Sequence, residues 1–578
     1  MKLLKNPNKL LFITLFLLCI VNILQGYFTE LLDDEAYYWV YSQFLDWGYF
    51  DHPPMVAIWI TISSFFFENG ELGVRILSAI TLSLNIFFIW KLIDFPKKSN
   101  YTWLFLLIVL STTLFNAYGF ITVPDTPLLF FMSIFLLGYK KYLKDKSNLS
   151  YLIISLAVAG LLYSKYQGVL IVFFVLLSNI KVLKDYKIWI TGFVALLLFF
   201  PHLYWQYAND YPTFRYHLFE RTAKSSYKIE NSLLHFVNMF AIIGVTFIFF
   251  YKAFFKNLKT KNQFQKGLNY IVGGFLVFFF LMSFKGHVQA QWIVPISIPL
   301  MIIVFHYLVN NQHKITLFKR LAFINIALII LIRIVMAFES ILPFQLDMHG
   351  HKQWVSELQK KTKGKKKVFF NSYQRASTYL FYSKDPIASY NYFNDRKNHF
   401  DLLNINNTVF NEDVYYITNK DYGYSNFGIK RKNKDSLYVS YINGFKAPNL
   451  LKININNVKT SNDNTISIDM INTSKNNFSI NDFDFYLVLF DKNKHLLFLN
   501  GKKAKKYKIS DFDLFTIPLS INDKILKIEE KNLVNTTIKI PKRTISLVNK
   551  AEYIQIIGKN NPKLHLTRLS KMYSLQKD

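Results

Sequence analysis

Leu31–Met55 reads LLDDEAYYWVYSQFLDWGYFDHPPM, setting Asp33, Asp34 and Glu35 beside tyrosines and tryptophans and ending on Asp51-His52-Pro53-Pro54. No Lys or Arg occurs from Tyr27 to Leu72, in a chain whose formal charge is +31. Carboxylates of this kind at a membrane surface suit general-base chemistry, in which a hydroxyl is relieved of its proton before it attacks. The cations come from other parts of the chain: Arg75, Lys165 and Lys285, with His287 close behind the last. Such groups suit the binding of a phosphate and the charge that develops on it as it leaves. Together with Asp125, these residues fit group transfer from an anionic carrier.

Each residue also has a plainer reading. Asp125 lies in Pro-Asp-Thr-Pro, where it or Thr126 caps a helix opening at Pro127 just as well as it serves catalysis. His52 precedes two prolines and either belongs to a site or positions that turn. Tyr37, Tyr38, Trp39, Trp47 and Tyr49 suit either the apolar faces of a sugar or anchoring at a membrane interface. Lys285 and His287 either join the site or mark a helix end. Lys165 is harder to dismiss, because a lysine inside an apolar stretch must reach water, a headgroup or a partner. No P-loop, G-x-G-x-x-G, zinc-spaced Cys/His set or nucleophile elbow occurs, so soluble nucleotide cofactors are not indicated.

The elements that carry these residues are membrane helices. Up to about Leu342 the 578-residue chain is a series of Leu/Ile/Phe-rich stretches separated by short polar loops. A span needs roughly 20 apolar residues. The candidates are Leu10–Tyr27, Val74–Ile93, Tyr101–Phe120, Pro127–Tyr142, Ile188–Tyr204, Leu233–Phe255, Leu268–Phe284, Trp292–Val309 and Leu321–Leu342. Met1–Gly26 lacks a small-x-small cleavage site and reads as an uncleaved first helix. Tyr151–Ile180 would be about 45 Å long as one helix, against a hydrocarbon core of ~30 Å. Both of its flanks are rich in lysine, Lys140–Lys146 and Lys181–Lys187, and such loops stay cytoplasmic. It must therefore go out and return, a hairpin turning at Tyr163–Gln167. The total comes to about 11 spans by this reckoning, with the acidic loop, Asp125, Lys165 and Lys285 all on the outer face.

Residues 343–578 are Lys/Asn-rich with short alternating apolar runs. Residues 343–432 read as a small α/β unit, and 433–578 as a β-sandwich-like domain with Ile466/Ile468/Met470 and Phe483/Phe485/Leu487/Leu489 facing inward. The only cysteine is Cys19, so this half has no disulfide. Its Lys360–Lys367 run is either a solvated face or a contact for anionic lipid or polysaccharide.

The motifs then add a resemblance. DDEAYYWVYSQFLDWGYFDHPPM, GVRILSA, VPDTPLLFF, SKYQGVL and KGHVQAQWIVPISIP together resemble the GT-C glycosyltransferases of the protein-mannosyltransferase-like and lipid A aminoarabinose-transferase-like group, over most of residues 1–342. NSYQRASTYLFYSKDP is similar to the soluble extension of related bacterial chains. The resemblance implies a polytopic GT-C fold in a bacterial inner membrane, with a periplasmic C-terminal half. It implies an inverting transfer of a sugar from a polyprenyl-phosphate donor to a lipid, glycan or protein acceptor.

Asp34 resembles the catalytic base, with Glu35 and Asp125 as companion acids. Lys165 resembles the carrier-phosphate lysine, with Arg75 and Lys285 beside it. Asp51, His52, Tyr38 and His287 are expected to touch substrate. No cofactor is required on this reading, and a divalent cation, if used, would sit at Asp34, Glu35 and His52. Aminoarabinose transferases typically have Glu-Lys-Pro-Pro where this chain has Asp51-His52-Pro53-Pro54, and the missing lysine puts lipid A in doubt as the acceptor. The rival reading from the residues is a lipid-linked sugar flippase or polysaccharide exporter, which calls for charges spread through the membrane's depth.

Overall fold

The computed structural model describes residues 7–67, 70–217, 227–431, 435–459, 464–474, 477, 479–500, 513–521, 533–561 and 563–575. The chain divides into two compact units, Met1–Gly350 and His351–Asp578.

The first unit is helical, and its apolar surfaces make it an integral membrane protein. In chain order it begins with α1 (Pro7–Phe28), α2 (Asp33–Gln43), α3 (Met55–Phe67), α4 (Glu71–Leu92), α5 (Thr102–Leu110), α6 (Thr113–Ala117), α7 (Asp125–Asp145), α8 (Asn148–Ser164), α9 (Gly168–Ser178) and α10 (Tyr186–Ala208). Helices at Ile229–Ile243, Phe247–Asn257, Gln263–Ser283, Ser297–Asn310 and Ile315–Ala337 follow. A continuous apolar core runs from Leu11 through Phe105, Leu136 and Phe275 to Phe305. On α1, α10 and Ile315–Ala337, Phe16, Phe193 and Leu331 are among the large apolar side chains left exposed, as lipid-facing helices require.

Every expected span is helical, but the expected count of about 11 is not a count of uninterrupted spans. Among the described residues, five helices are long and apolar enough to cross a membrane, six if one bent pair is a single span. The expected Tyr101–Phe120 helix breaks between α5 and α6, where the Ser111 and Thr112 hydroxyls both bond back to the carbonyl of Ile108. Such back-bonding competes with helix continuation. Leu233–Phe255 is likewise two helices, bent by 101°. Gly244 at the bend has φ +84, and the side chain of Asn325 fills the gap, donating to the carbonyls of Ser111 and Ile243 and accepting from the Val245 N–H. The α8–α9 hairpin turns at Lys165–Gln167, where the Lys165 carbonyl accepts from the Gly168 N–H at 2.8 Å. Two helices, α2 and α3, lie in the stretch read from sequence as loop.

In the second unit, helices His351–Thr362 and Tyr373–Ser383 accompany a five-stranded sheet of order β2-β1-β3-β5-β4. Its strands are β1 (Lys366–Phe370), β2 (Ile387–Tyr390), β3 (Glu412–Thr418), β4 (Phe427–Ile429) and β5 (Leu437–Phe445). β1 pairs in parallel with both β2 and β3, and β5 runs antiparallel to β3 and β4. The expected division at 432/433 therefore falls inside this sheet, between paired β4 and β5.

The remaining strands include β6 (Leu451–Lys459), β7 (Thr465–Asn472), β8 (Asp484–Phe490), β9 (Thr516–Ile521), β10 (Leu533–Lys539) and β11 (Tyr553–Lys559). Instead of two separate facing sheets they form one antiparallel path, with β9 and β10 joined by only two residue pairs, Ile538–Ile521 and Lys539–Ser520. Ile453 of β6 makes an isolated parallel bridge to Ser570, beyond the last residues of that path's other end. Ile466, Ile468, Met470, Phe485, Leu487 and Leu489 all point inward. One apolar cluster runs from Val368 and Phe370 through to Ile556, so both sheets share a core.

Candidate active site

The acidic run opens α2, where carboxylates face the positive end of the helix dipole. Its members face different ways: Glu35 is fully buried, Asp33 half-buried and Asp34 exposed. Glu35 Oε1 accepts from Arg75 Nε and from the Thr122 N–H, both at 2.8 Å. Its Oε2 accepts from the Leu32 N–H at 3.0 Å and pairs with Arg75 Nη2. Arg75 also donates to the carbonyls of Gly26, Thr29 and Glu30 at the C-terminal end of α1. These contacts occupy the five donors of a guanidinium. Glu35 and Arg75, read as catalytic and phosphate-binding, instead form a buried clamp that ties α1, α2 and α4 together. The clamp leaves Asp34 on a fixed, exposed turn.

The second pair joins two other elements. Lys165, at the hairpin turn, donates to Asp125 Oδ1 at 2.8 Å and Oδ2 at 3.0 Å. Both are buried, with 8% and 3% of their surface exposed. Asp125 is the first residue of α7, three residues beyond Thr122. Three residues of chain reach at most about 11 Å. Because Thr122 is bonded to Glu35, the Asp125–Lys165 pair lies close to the helix start that carries Asp34.

A third group lines the same end of the unit. Asp51 is buried, and its Oδ2 accepts from the Tyr41 hydroxyl at 3.1 Å. The ring of His52 lies 5.6 Å from that of Tyr38 and 6.1 Å from that of His217. His217 Nε2 donates to the Asp51 carbonyl at 2.9 Å. Tyr166, next to Lys165, bonds through its hydroxyl to His202 Nε2 at 2.7 Å, and His202 Nδ1 lies 2.7 Å from the Trp47 carbonyl. A carbonyl only accepts, so Nδ1 carries the proton, and the neutral ring's Nε2 accepts from Tyr166. Gln206 donates to the Tyr166 and Thr213 hydroxyls, and Thr213 donates to the Tyr49 carbonyl. The hairpin turn, the acidic loop and the end of α10 are thereby locked to one another.

Tyr166, His202, Gln206 and His217 were not singled out by the sequence reading. The signal was present in His202, an ionisable residue within an apolar span. Lys285 and His287 are exposed in the segment after Gln263–Ser283, which is pinned by the Asn238 side chain donating to the Val288 carbonyl at 2.7 Å. Among the described residues, no group of three or more His, Cys, Asp or Glu is arranged to hold a metal ion.

The profile of the dolichyl-phosphate-mannose-protein mannosyltransferase family matches residues 51–205. The chain is similar to ArnT from Cupriavidus metallidurans, with a TM-score of 0.57 at 11% identity, over 74% of this chain and 97% of that one. ArnT from the same organism bound to undecaprenyl phosphate gives 0.56 at 12% identity, with the same coverage. The chain has the fold of these ArnT structures. A lipid A galacturonosyltransferase, RgtD from Rhizobium johnstonii, is 25% identical over 235 residues, which is 38% of this chain and 48% of that protein. The chain thus matches about half the length of that curated relative. The family match contains Asp51, Arg75, Asp125, Lys165 and His202, and begins beyond Asp34.

Proposed function

We propose that the protein is a membrane glycosyltransferase that moves a sugar from a polyprenyl-phosphate donor to a cell-envelope acceptor, whether lipid, glycan or protein. The reaction takes place on the outer face of a bacterial inner membrane, and the soluble unit is periplasmic. The observation that carries this reading is the Thr122–Asp125 segment, which joins the helix start bearing Asp34 to the Asp125–Lys165 pair. The family profile and the GT-C fold support the same class.

In the proposed reaction Asp34 takes the proton of the acceptor hydroxyl, and that oxygen attacks the anomeric carbon from the side opposite the phosphate. The bond between the anomeric carbon and the phosphate oxygen breaks, its electron pair leaves on the polyprenyl phosphate, and the anomeric configuration inverts. Lys165 meets the charge gained by the leaving phosphate. Asp125 holds the ammonium between turnovers and yields it in part to the donor. Lys285, on its exposed segment, is the cation that can approach the phosphate from outside. Asp51, His52, Tyr38 and His287 are proposed to contact substrate, and no metal is required.

The test is transfer by the purified protein from defined polyprenyl-phosphate sugars, with and without EDTA. Wild type is expected to transfer in both conditions, and Asp34→Asn to lose at least a hundredfold in rate. Full transfer by Asp34→Asn sinks the proposed base.

A further inference from the structure

The soluble unit has a topological switch point that the transfer reading leaves unused. β1 lies between β2 and β3, all three parallel, so the chain leaves β1 to one side and returns on the other. In sheets of this kind ligands bind outside the carboxyl ends of the strands, where the strand order reverses. Here that point is the space beyond Phe370 of β1 and Thr418 of β3.

The residues gathered there come from distant parts of the chain. After β3, Tyr422 and Tyr424 present nearly parallel rings, 6.0 Å apart and tilted by 16°, both only half-buried. Their loop is pre-formed, because Asp421 Oδ1 accepts from the Gly423 N–H and the Ser425 hydroxyl at 3.0 Å each. Beneath them His565 stacks on Phe370 at 4.1 Å and meets the edge of Tyr422 at 4.4 Å. The Tyr416 hydroxyl lies 2.9 Å from His565 Nδ1. After β1, Asn371 holds a left-handed conformation, φ 53, uncommon for a residue other than glycine and concentrated at functional sites. Its amide group donates to Asp395 Oδ2 and accepts from the Tyr392 N–H. The hydroxyl of Tyr390, at the end of β2, is buried without a hydrogen-bond partner among the described residues.

We infer that this switch point binds a carbohydrate: a pyranose ring lies against the Tyr422/Tyr424 pair while Asn371 and Asp395 take its hydroxyls. The chemistry excludes the ligand usually found at such a position. A nucleotide needs a glycine-rich turn and an open helix N-terminus for its phosphates, whereas β1 runs into Asn371-Ser372-Tyr373 with no glycine. Beside these groups Arg568 donates to the Asp395 carbonyl and Arg396 to the Tyr373 hydroxyl at 3.4 Å. Half-exposed aromatic faces with a few planar polar groups are what an uncharged sugar, apolar on one face and hydroxylated at its edge, requires. This inference does not depend on the transfer reaction, since every residue it uses lies within the soluble unit.

The experiment uses the full-length protein in nanodiscs, without donor, and saturation-transfer NMR with mannohexaose, galactohexaose and chitohexaose. At least one of the three is expected to receive saturation on its ring protons. Tyr422→Ala/Tyr424→Ala is expected to weaken that signal at least fivefold, with hydrogen-exchange protection of β1–β3 retained. Asp395→Asn, on the exposed rim, gives the same direction of change should the tyrosine variant lose its protection. No saturation of any of the three sugars overturns the inference. So does a signal that persists at full strength in folded variants. Donor turnover by the tyrosine variant, measured separately, is expected to stay at the wild-type level with a small soluble acceptor.

Discussion

The backbone N–H of Thr122 donates to Glu35 Oε1 at 2.8 Å, and through this one bond the loop before α7 is fastened to the start of α2. Glu35 is the hub, with Arg75 held on the same carboxylate. Removing one partner of a buried, hydrogen-bonded ion pair typically costs about 3–5 kcal/mol. Arg75→Met is therefore expected to lower thermal stability sharply. In whatever protein remains folded, affinity for polyprenyl phosphate should stay within about twofold of wild type. Stability is read by thermal unfolding in detergent and affinity by lipid titration. A normal melting curve with lost lipid binding would return Arg75 to the phosphate site.

The Asp125–Lys165 pair predicts the opposite division. Lys165→Ala strands a buried carboxylate and removes the proposed phosphate contact, so both stability and donor turnover are expected to fall. Adding Asp125→Asn should recover most of the stability and none of the turnover, because the unpaired charge is gone while the ammonium is still missing. A double-mutant cycle read by melting temperature, alongside donor consumption, separates the two effects.

Tyr166 is held by His202, and His202 by the Trp47 carbonyl. His202→Phe breaks both bonds and lets the hairpin turn move relative to the acidic loop. The expected loss in kcat/KM is about tenfold, the equivalent of about 1.4 kcal/mol. A role in positioning predicts that Tyr166→Phe shows a similar loss and that His202→Gln, which keeps a donor and an acceptor, recovers part of it. A purely packing role predicts no rescue by Gln.

In the soluble unit, burial holds His399 and His565 down at about 3. An unfolded histidine titrates near 6.5. Between these values the unfolded chain binds the extra protons, so stability falls as pH falls. The contribution is intact above about pH 6.5 and declines toward pH 3, reaching about 2 kcal/mol lost per histidine at pH 5. Protection factors of β1–β3 in the full-length protein at pH 7.5 and pH 5 test this, and His565→Phe should shrink the difference.

The apolar stretches and the α8–α9 turn were legible because composition and lysine-flanked ends report the membrane directly. Which of two adjacent acids faces inward was not. Asp34 and Glu35 differ by one position, and the outcome was set by Arg75, forty positions later in the chain. α2 was hidden because its acids and tyrosines show no 3.6-residue apolar stripe. The 101° bend at Gly244 was hidden for the converse reason: hydropathy continues unbroken across it, and the cap is supplied by Asn325 from another helix. The division placed at 432/433 reflected a change in composition, whereas β4 and β5 pair across it.

The bridge between Ile453 and Ser570 has one more consequence. By setting the Leu569–Ser570 segment against Ile453 of the terminal strand β6, it shields part of a margin on which other chains could otherwise template. This is achieved by hydrogen bonding alone, as the one cysteine of the chain is Cys19 in α1. The soluble unit is therefore indifferent to its redox surroundings. It can mature without a thiol oxidase or disulfide isomerase, and a thiol reductant should leave its melting temperature unchanged.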